Sequence, residues 1–181
     1  MRLLGAILAG GRSSRFGSDK ALALLAGKPL IAHVADALRP QVAELIVCGR
    51  EWGELPSVAD RPGPDLGPLA GLSAALHHAA SHGFDSVLCA ACDVPGLPDD
   101  LVAQLAPAPA YVAELPVIGL WPAALAPALD AWLADSADRS LKGWGRSVNA
   151  AARSLRAPVP NINNPFDLVV IAERYVPPLV P

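Results

Sequence analysis

The feature that most constrains the fold is a short apolar run at the amino end, closed by two glycines. Residues 1–8 are almost uninterrupted in apolar side chains, and Gly10-Gly11 follows directly after Ala9. A run of this length indicates a strand that is buried on both faces, which is typical of a central strand in a parallel sheet. The chain is therefore predicted to begin in the middle of an α/β sheet.

A loop rich in glycine and cations follows this strand. It carries Arg12, Ser13, Ser14, Arg15 and Lys20. Glycine lets backbone N–H groups turn toward a ligand, and the resulting concavity binds anions. Two arginines and a lysine in the same loop favour a polyphosphate, while a solvated connector is the alternative. The spacing matches neither Gly-x-Gly-x-x-Gly nor Gly-x-x-x-x-Gly-Lys-Ser/Thr, so these two phosphate loops are excluded.

Length, composition and charge bound the class of protein. With 181 residues, 52% of them hydrophobic and 17% charged, the chain is expected to fold as a single domain over residues 1–181. The net charge is −3, yet residues 1–39 hold six lysines and arginines against two aspartates. Positive charge gathered near one loop of an acidic chain suits a small anionic ligand, not DNA or RNA. No apolar run is long enough to span a membrane and no secretory cleavage site is evident, so we expect a cytoplasmic protein without a membrane partner.

The cysteines and histidines give no convincing metal or redox site. Cys89 and Cys92 have redox-type spacing, but they lie in a strand-like run. Their odd separation places the side chains on opposite faces, so together with Cys48 they are expected to be small buried hydrophobes. No second ligand type accompanies the histidines at metal spacing. His33 is expected to be solvated or packed, and the others to be solvated: His77, His78 and His82.

Strand-like and helix-like patterns alternate along the rest of the chain. The predicted elements are a helix over 30–38, strands over 44–48 and 57–60, a helix from about 69 to 79, a strand over 84–92, a helix from 99, strands over 110–113 and 116–121 that form a hairpin, and helices over 122–133 and 138–144. This alternation predicts a three-layer α/β/α sandwich with a mostly parallel, Rossmann-like sheet.

Asp93 lies directly after the predicted strand over 84–92. A carboxylate at the carboxyl end of a parallel strand lies over the crevice where open α/β sheets bind ligands. One carboxylate, together with waters and phosphate oxygens, is a usual way to hold Mg²⁺. The alternative, a helix-capping aspartate, is weakened because Pro95 and Pro98 delay the next helix to Asp99.

Four motifs carry a resemblance to a known family. The first is Leu8-Ala9-Gly10-Gly11-x-Ser13-x-Arg15-x-Gly17-x-Asp19-Lys20 with Gly27-Lys28-Pro29-Leu30. The second is Gly67-Pro68-Leu69-Ala70-Gly71 with an acid seven positions earlier, which Asp60 fits better than Asp65; the others are Cys92-Asp93-x-Pro95 and Asn161-x-Asn163-x-Pro165. The chain thereby resembles the nucleotidyltransferases of the nucleotide-diphospho-sugar transferase type. It is most similar to the molybdenum cofactor guanylyltransferases.

The resemblance implies a reaction and assigns residues to it. The reaction would be transfer of GMP from GTP to the terminal phosphate of molybdopterin, with release of pyrophosphate and with Mg²⁺ or Mn²⁺ as cofactor. Transient contact with a molybdoenzyme or another cofactor-handling protein is also implied. The implied catalytic residues are Arg15 and Lys20, the metal ligand is Asp93, and the acceptor-binding residues are Asn161 and Asn163. The implied nucleotide-binding residues are Leu8, Ala9, Gly10, Gly11, Ser13, Lys20, Asp60, Gly67, Pro68, Leu69, Gly71 and Asp93.

Several positions depart from the family pattern and keep alternatives open. Phe16 replaces a usual methionine, Asn164 a usual threonine, and Leu115 stands where relatives often have a histidine. Cys48 stands where relatives often place a polar nucleotide contact. The alternatives are transfer of CMP to molybdopterin, transfer to another phosphorylated acceptor, and a non-catalytic protein that binds the nucleotide or escorts the cofactor.

Overall fold

The computed structural model of the chain describes residues 1–10, 19–63 and 66–175. The strands are β1 Leu3–Leu8, β2 Leu24–Leu25, β3 Lys28–Pro29, β4 Glu44–Cys48, β5 Ser57–Val58, β6 Ser86–Ala91, β7 Ala110–Val112, β8 Gly119–Pro122 and β9 Ala151–Arg153. The α-helices are α1 Leu30–Leu38, α2 Pro68–Ser81, α3 Leu101–Leu105, α4 Ala126–Asp135, α5 Leu141–Ser147 and α6 Pro165–Tyr175. Short 3₁₀ turns cover Lys20–Leu22, Arg39–Gln41 and Ala123–Leu125.

Seven of the strands form one sheet in the order β5-β4-β1-β6-β8-β7-β9. β5, β4, β1 and β6 run parallel to one another. β8 is antiparallel to both β6 and β7, whereas β9 is parallel to β7. The predicted mostly parallel sheet is confirmed, and the antiparallel strand β8 marks the place where its direction changes.

β1 is an interior strand of this sheet, with β4 on one side and β6 on the other, as its composition predicts. All six of its residues are buried. Alternate side chains enter two separate cores: Leu4 and Leu8 pack in the core beneath α2 and α4, while Leu3 and Ile7 pack in the core beneath α1 and α3. The two cores on opposite faces confirm the three-layer arrangement.

Local sequence explains where the helices begin and end. α1 buries Leu30, Ile31, Val34, Ala35 and Leu38 at helical spacing. It gives way to a 3₁₀ turn at the Arg39-Pro40 step, since proline has no N–H to continue the ladder. The start of α2 is set by its first residue, a proline, which is well tolerated in a first helical turn.

Some details differ from the expectations. A short hairpin that was not among the predicted elements precedes α1: Ala26 and Gly27 have positive φ and form the tight turn between β2 and β3, and Pro29 ends β3. The hairpin of β7 and β8 is confirmed. The helix expected over 122–133 is divided into a 3₁₀ turn and α4, which extends to Asp135. β9 was not anticipated.

A small third core brings the end of the chain back to its beginning. The cluster consists of Leu25 of β2, Leu30 of α1, Ile171 of α6 and Ile162, which precedes α6. It holds the closing segment beside the turn that contains Lys20. Among the described residues, no helix is both long enough and apolar enough to cross a membrane.

Candidate active site

The site lies where three parallel strands end together. Leu8 at the end of β1 pairs with Cys48 of β4 on one side and with Ala91 of β6 on the other. Gly10 and Asp93 follow these strand ends at the same edge of the sheet. This edge, at the carboxyl ends of parallel strands, is where open α/β sheets bind ligands.

Three glycines enclose the carboxylate of Asp60 at this edge. A Cβ atom on Gly10 would overlap the Asp60 carboxylate, and one on Gly49 would lie 2.9 Å from its Oδ1 atom. A Cβ atom on Gly71 would lie 3.5 Å from the same oxygen. Gly49 also has φ of +83°, a conformation that other residues rarely adopt. The absence of side chains at these three positions is what gives Asp60 its place.

The carboxylate of Asp60 can accept a further hydrogen bond. Its Oδ1 atom is buried and accepts no hydrogen bond from the described residues. Burial raises the pKa of Asp60 above its ordinary value. A buried carboxylate oxygen without a donor lowers the stability of the folded protein. The presence of an aspartate at this position therefore favours a ligand that supplies N–H or O–H groups.

The residues around this cradle contribute shape more than polar groups. Leu8 and Ala9 are buried, and the Ala9 N–H donates to the Cys48 carbonyl at 3.0 Å. Cys48 is fully buried, and burial raises the pKa of its thiol, so it remains neutral. A neutral thiol is a weak hydrogen-bond partner. Polar recognition in this part of the site therefore falls to Asp60 and to the backbone.

Gly67, Pro68 and Leu69 form the start of α2. Gly67 has φ of +68°, which explains why glycine stands there. Pro68 has no N–H to donate, and the Leu69 side chain is fully buried in the core. These residues can face a ligand only through backbone atoms or the proline ring. Predicted residues that lie outside the described part of the chain are Gly11, Ser13, Arg15 and Asp65.

Lys20 and Asp93 meet at the same edge of the sheet. The Lys20 Nζ atom donates to Asp93 Oδ2 at 2.5 Å, with 15% and 20% of the two side chains exposed. Asp93 does not cap the following helix, because α3 begins at Leu101 with Asp100 at the cap position. An ammonium and a carboxylate thus lie together at the position predicted from sequence.

Asp93 is a residue at this edge that could supply one ligand to a magnesium ion. Among the described residues no group of three or more carboxylate, histidine or cysteine side chains could hold a metal alone. Mg²⁺ is, however, commonly bound by one or two protein carboxylates with substrate phosphates and waters. Asp93 supplies such a carboxylate.

The motif Asn161-x-Asn163-x-Pro165, near the carboxyl end of the chain, contacts the backbone of Asp93. The Ile162 N–H donates to the Asp93 carbonyl at 3.1 Å, and Ile162 itself is fully buried. Its neighbour Asn161 has a buried Oδ1 atom without a hydrogen bond from the described residues. Asn163 is exposed, and its N–H donates to Asp167 Oδ2 at 2.6 Å. The two predicted acceptor-binding residues therefore flank the residue that hydrogen-bonds to the Asp93 backbone.

Arg50 is a site residue that the sequence analysis missed. It follows Gly49 beyond β4 and binds both carboxylate oxygens of Asp19, through Nη1 at 2.6 Å and through Nη2. The hydrogen bonds from Arg50 hold the pKa of Asp19 below its ordinary value. A cation directly beyond the end of a central parallel strand is the signal that could have identified it.

The expectation of solvated histidines is wrong for His77. Its Nε2 atom lies 2.7 Å from Asp130 Oδ2, and the buried Ser73 hydroxyl donates to the other oxygen at 3.0 Å. The pattern missed this contact because Asp130 lies on α4, far away in sequence. His78 and His82 stack with ring centroids 4.0 Å apart. His33 is packed, with Nε2 2.8 Å from the Leu25 carbonyl.

Cys48 and Cys89 are buried, as expected, whereas Cys92 is only partly buried. All three thiols are free. Cys89 lies in the core beneath α2 and α4, while Cys92 packs against the core on the opposite face. Burial raises the pKa of both thiols to about 12, so neither is a reactive thiolate at neutral pH.

Comparison with known proteins identifies the family. A family model described as the MobA-like NTP transferase domain matches residues 5–152. The chain belongs to this family. A molybdenum cofactor guanylyltransferase from Rhodobacter capsulatus is 40% identical over 96% of this chain and 97% of its own length. A second, from Rhizobium leguminosarum bv. trifolii, is 36% identical over 96% and 93%. This MobA-like chain is therefore similar to guanylyltransferases along nearly its whole length.

Solved structures confirm the nucleotidyltransferase fold. Molybdopterin-guanine dinucleotide biosynthesis protein A from Archaeoglobus fulgidus superposes with a TM-score of 0.72 at 23% identity, covering 95% of this chain and 98% of its own. The 2-C-methyl-D-erythritol 4-phosphate cytidylyltransferase from Thermus thermophilus superposes with a TM-score of 0.61 at 16% identity, covering 97% and 98%. Because the identities are low, these structures support the fold alone.

Proposed function

We propose that this MobA-like protein transfers GMP from GTP to the phosphate of molybdopterin, forming molybdopterin guanine dinucleotide and pyrophosphate. Relatives named molybdenum cofactor guanylyltransferase match it over almost their full length. The observation that carries the proposal is the common edge of the sheet, where the enclosed Asp60 and the Lys20–Asp93 pair lie beyond the carboxyl ends of the parallel strands. One of these groups suits a nucleoside and the other suits its phosphates.

Asp60 is the group we assign to the nucleoside. Guanosine offers N–H groups on its base and hydroxyl groups on its ribose, and any of these can donate to a carboxylate. Glycine at positions 10 and 71 leaves room for this carboxylate at the end of β1. A buried acceptor matched to one nucleoside discriminates against others, because the wrong nucleoside leaves it without a donor.

The transfer itself needs positioning and charge neutralisation rather than a protein nucleophile. A phosphate oxygen of molybdopterin attacks the α-phosphorus of GTP, the new P–O bond forms, and the bond to the bridging oxygen breaks as pyrophosphate leaves. Lys20, with Arg15 predicted from the sequence, is assigned to the charge that develops on the phosphates. Asp93 would hold Mg²⁺, with Mn²⁺ as the substitute; when bound, the ion neutralises phosphate charge.

The acceptor is assigned to the closing segment. Asn161 and Asn163 carry amide groups that can both donate and accept hydrogen bonds, as a pterin ring and its phosphate require. The hydrogen bond between Ile162 and the Asp93 carbonyl keeps these amides beside the phosphate end of the site. The attacking and the attacked groups would then be held by neighbouring parts of one surface.

A direct comparison of nucleotides tests this proposal. With molybdopterin as acceptor, we expect kcat/KM for GTP to exceed that for CTP at least about 100-fold, or about 2.7 kcal/mol. Pyrophosphate release and dinucleotide formation are measured together. A preference for CTP would assign the protein to cytidylyl transfer. Nucleotide binding without turnover would instead favour a non-catalytic escort protein, an alternative that the neutral Cys48 and Leu115 keep open.

A further inference from the structure

The pairing of Asp19 with Arg50 joins two segments that meet at the candidate active site. Asp19 precedes Lys20, and Arg50 follows the end of β4, 31 residues later. Both guanidinium nitrogens at the end of Arg50 contact the Asp19 carboxylate. Such a two-point contact fixes orientation as well as distance, which a single lysine ammonium does not do.

Arg50 is itself held firmly to the sheet. The Gly49 N–H donates to the Val58 carbonyl at 2.9 Å, and the Ser57 hydroxyl donates to the Arg50 carbonyl at 2.7 Å. Only 25% of the Arg50 side chain is exposed. The arginine is therefore an anchor that extends from β4 and β5 toward the start of the 3₁₀ turn.

Asp19 links Arg50 to the turn that contains Lys20. Besides its ion pair, the Asp19 Oδ1 atom accepts a hydrogen bond from the Ala21 N–H at 3.2 Å and so caps the Lys20–Leu22 turn. Lys20 lies between the capping residue and the capped one, and its side chain points to Asp93. The place of the Lys20 backbone thus depends on a carboxylate that Arg50 orients.

We propose that Arg50, through Asp19, is a positioning residue for Lys20 and keeps its ammonium group over Asp93 in the geometry that the transfer requires. The proposal rests on the proposed function in that Lys20 is taken to act on the triphosphate. Arg50 is not assigned a contact with substrate. Loss of the Asp19–Arg50 pair should misplace Lys20 while leaving nucleoside binding at Asp60 intact.

Amine labelling tests the positioning without any assay of activity. The nucleotide-free protein is treated with an acetylating ester, and the initial labelling rate of Lys20 is measured by mass spectrometry relative to that of Lys28, whose side chain is 40% exposed. In Arg50→Ala and in Asp19→Asn, we expect this relative rate for Lys20 to rise about fivefold or more, because its local opening becomes easier. Asp19→Asn keeps a capping oxygen and removes the ionic partner.

Kinetics then test whether Arg50 acts through Lys20. We expect Arg50→Ala to lower kcat for guanylyl transfer about 10- to 100-fold with a much smaller change in KM for GTP, as misplacement of a catalytic group does. Arg50→Lys should retain part of the activity, since it keeps charge but not the two-point contact. In a Lys20→Ala background, Arg50→Ala should change kcat less than about twofold, because the group that it positions is gone.

A matched ion pair elsewhere serves as the control. Arg156 contacts Asp100 at 2.5 Å beside α3, so Arg156→Ala removes a similar pair away from the site and should leave both labelling and kcat unchanged. An unchanged Lys20 labelling rate in both Arg50→Ala and Asp19→Asn would overturn the proposal. The proposal would also be overturned if Arg50→Ala lowered kcat by the same factor with and without Lys20→Ala, since Arg50 would then act independently of Lys20. If the unsubstituted protein lacks guanylyl transfer, the proposed function fails, while the labelling result still decides the positioning.

Discussion

Replacing Asp60 by asparagine should make the protein more stable and less active. Asp60 is packed against Gly10, Gly49 and Gly71, and one of its oxygens is buried without a hydrogen bond from the described residues. Asparagine has nearly the same shape but carries no charge. The substitution therefore removes the cost of burying a charge, while it replaces the carboxylate that we assign to the nucleoside with a neutral amide, which is a weaker acceptor.

The size of the stabilisation follows from that single oxygen. A buried acceptor without a partner costs about 1–3 kcal/mol, and more if it is charged. Asparagine leaves a neutral polar group in the same place, so only the part of this cost that comes from the charge is removed, and we expect a gain in the free energy of unfolding of about 1–2 kcal/mol at pH 7. For a chain of this length, this gain corresponds to about 2–8 °C in Tm.

The gain should depend on pH in a defined direction. Because the pKa of Asp60 is raised in the folded protein, the carboxyl group favours folding while it is protonated, and this contribution is lost as the pH rises through the folded pKa. The advantage of Asp60→Asn is therefore greatest at pH values above the folded pKa. It should shrink as the pH falls and vanish near the unfolded aspartate pKa of about 3.9.

Unfolding in urea at several pH values measures the stability, and kcat/KM measures the activity. We expect kcat/KM for GTP to fall about 10- to 150-fold, which is the worth of a hydrogen bond to a charged acceptor. Inosine triphosphate lacks the exocyclic amine and deoxy-GTP lacks the 2′-hydroxyl; the analogue on which the substitution has least effect identifies the donor. Asp99→Asn, at an exposed aspartate, is the control. A pH-independent gain, or unchanged activity, would refute this reasoning.

Two further substitutions test the other end of the site. Lys20→Ala should lower kcat about 100- to 1,000-fold while costing about 1–2 kcal/mol of stability from the partly buried pair with Asp93; Lys28→Ala, which breaks an exposed pair with Asp36, should leave turnover unchanged. Asp93→Asn should abolish activity that depends on Mg²⁺ while the protein stays folded; a titration of turnover with Mg²⁺ that matches the unsubstituted protein would exclude Asp93 as a ligand.

The parts of the fold that the sequence predicts well are those encoded by neighbouring residues. β1 follows from an apolar run, α1 from its helical spacing and the proline that ends it, and the place of Asp93 from the end of a predicted strand. In each case the deciding contacts lie on the element itself or beside it. β9 fails this criterion, because its three residues have no apolar pattern and depend on pairing with β7.

The parts that could not be predicted depend on residues that are distant along the chain. Nothing in the vicinity of Arg50 indicates that its partner is Asp19, and nothing around His77 indicates Asp130. These pairs exist because the sheet places β1 beside β4 and because α2 packs against α4. Side-chain partners of this kind require the order of the strands, which local patterns leave open.

The enclosure of Asp60 shows how the two kinds of information combine. The family resemblance selects Asp60 by its distance in sequence from Gly67, and it implies nucleotide-binding roles for Gly10 and Gly71 separately. The structure shows that these are one feature: a carboxylate that fits because the residues facing it have no Cβ. Gly49 completes the enclosure, and its positive φ explains why a glycine follows Cys48 at the end of β4. The sequence alone can select Asp60 as an acid near the end of a strand. That its Oδ1 atom is buried without a donor from the described residues follows only from the structure, which brings the three glycines around it.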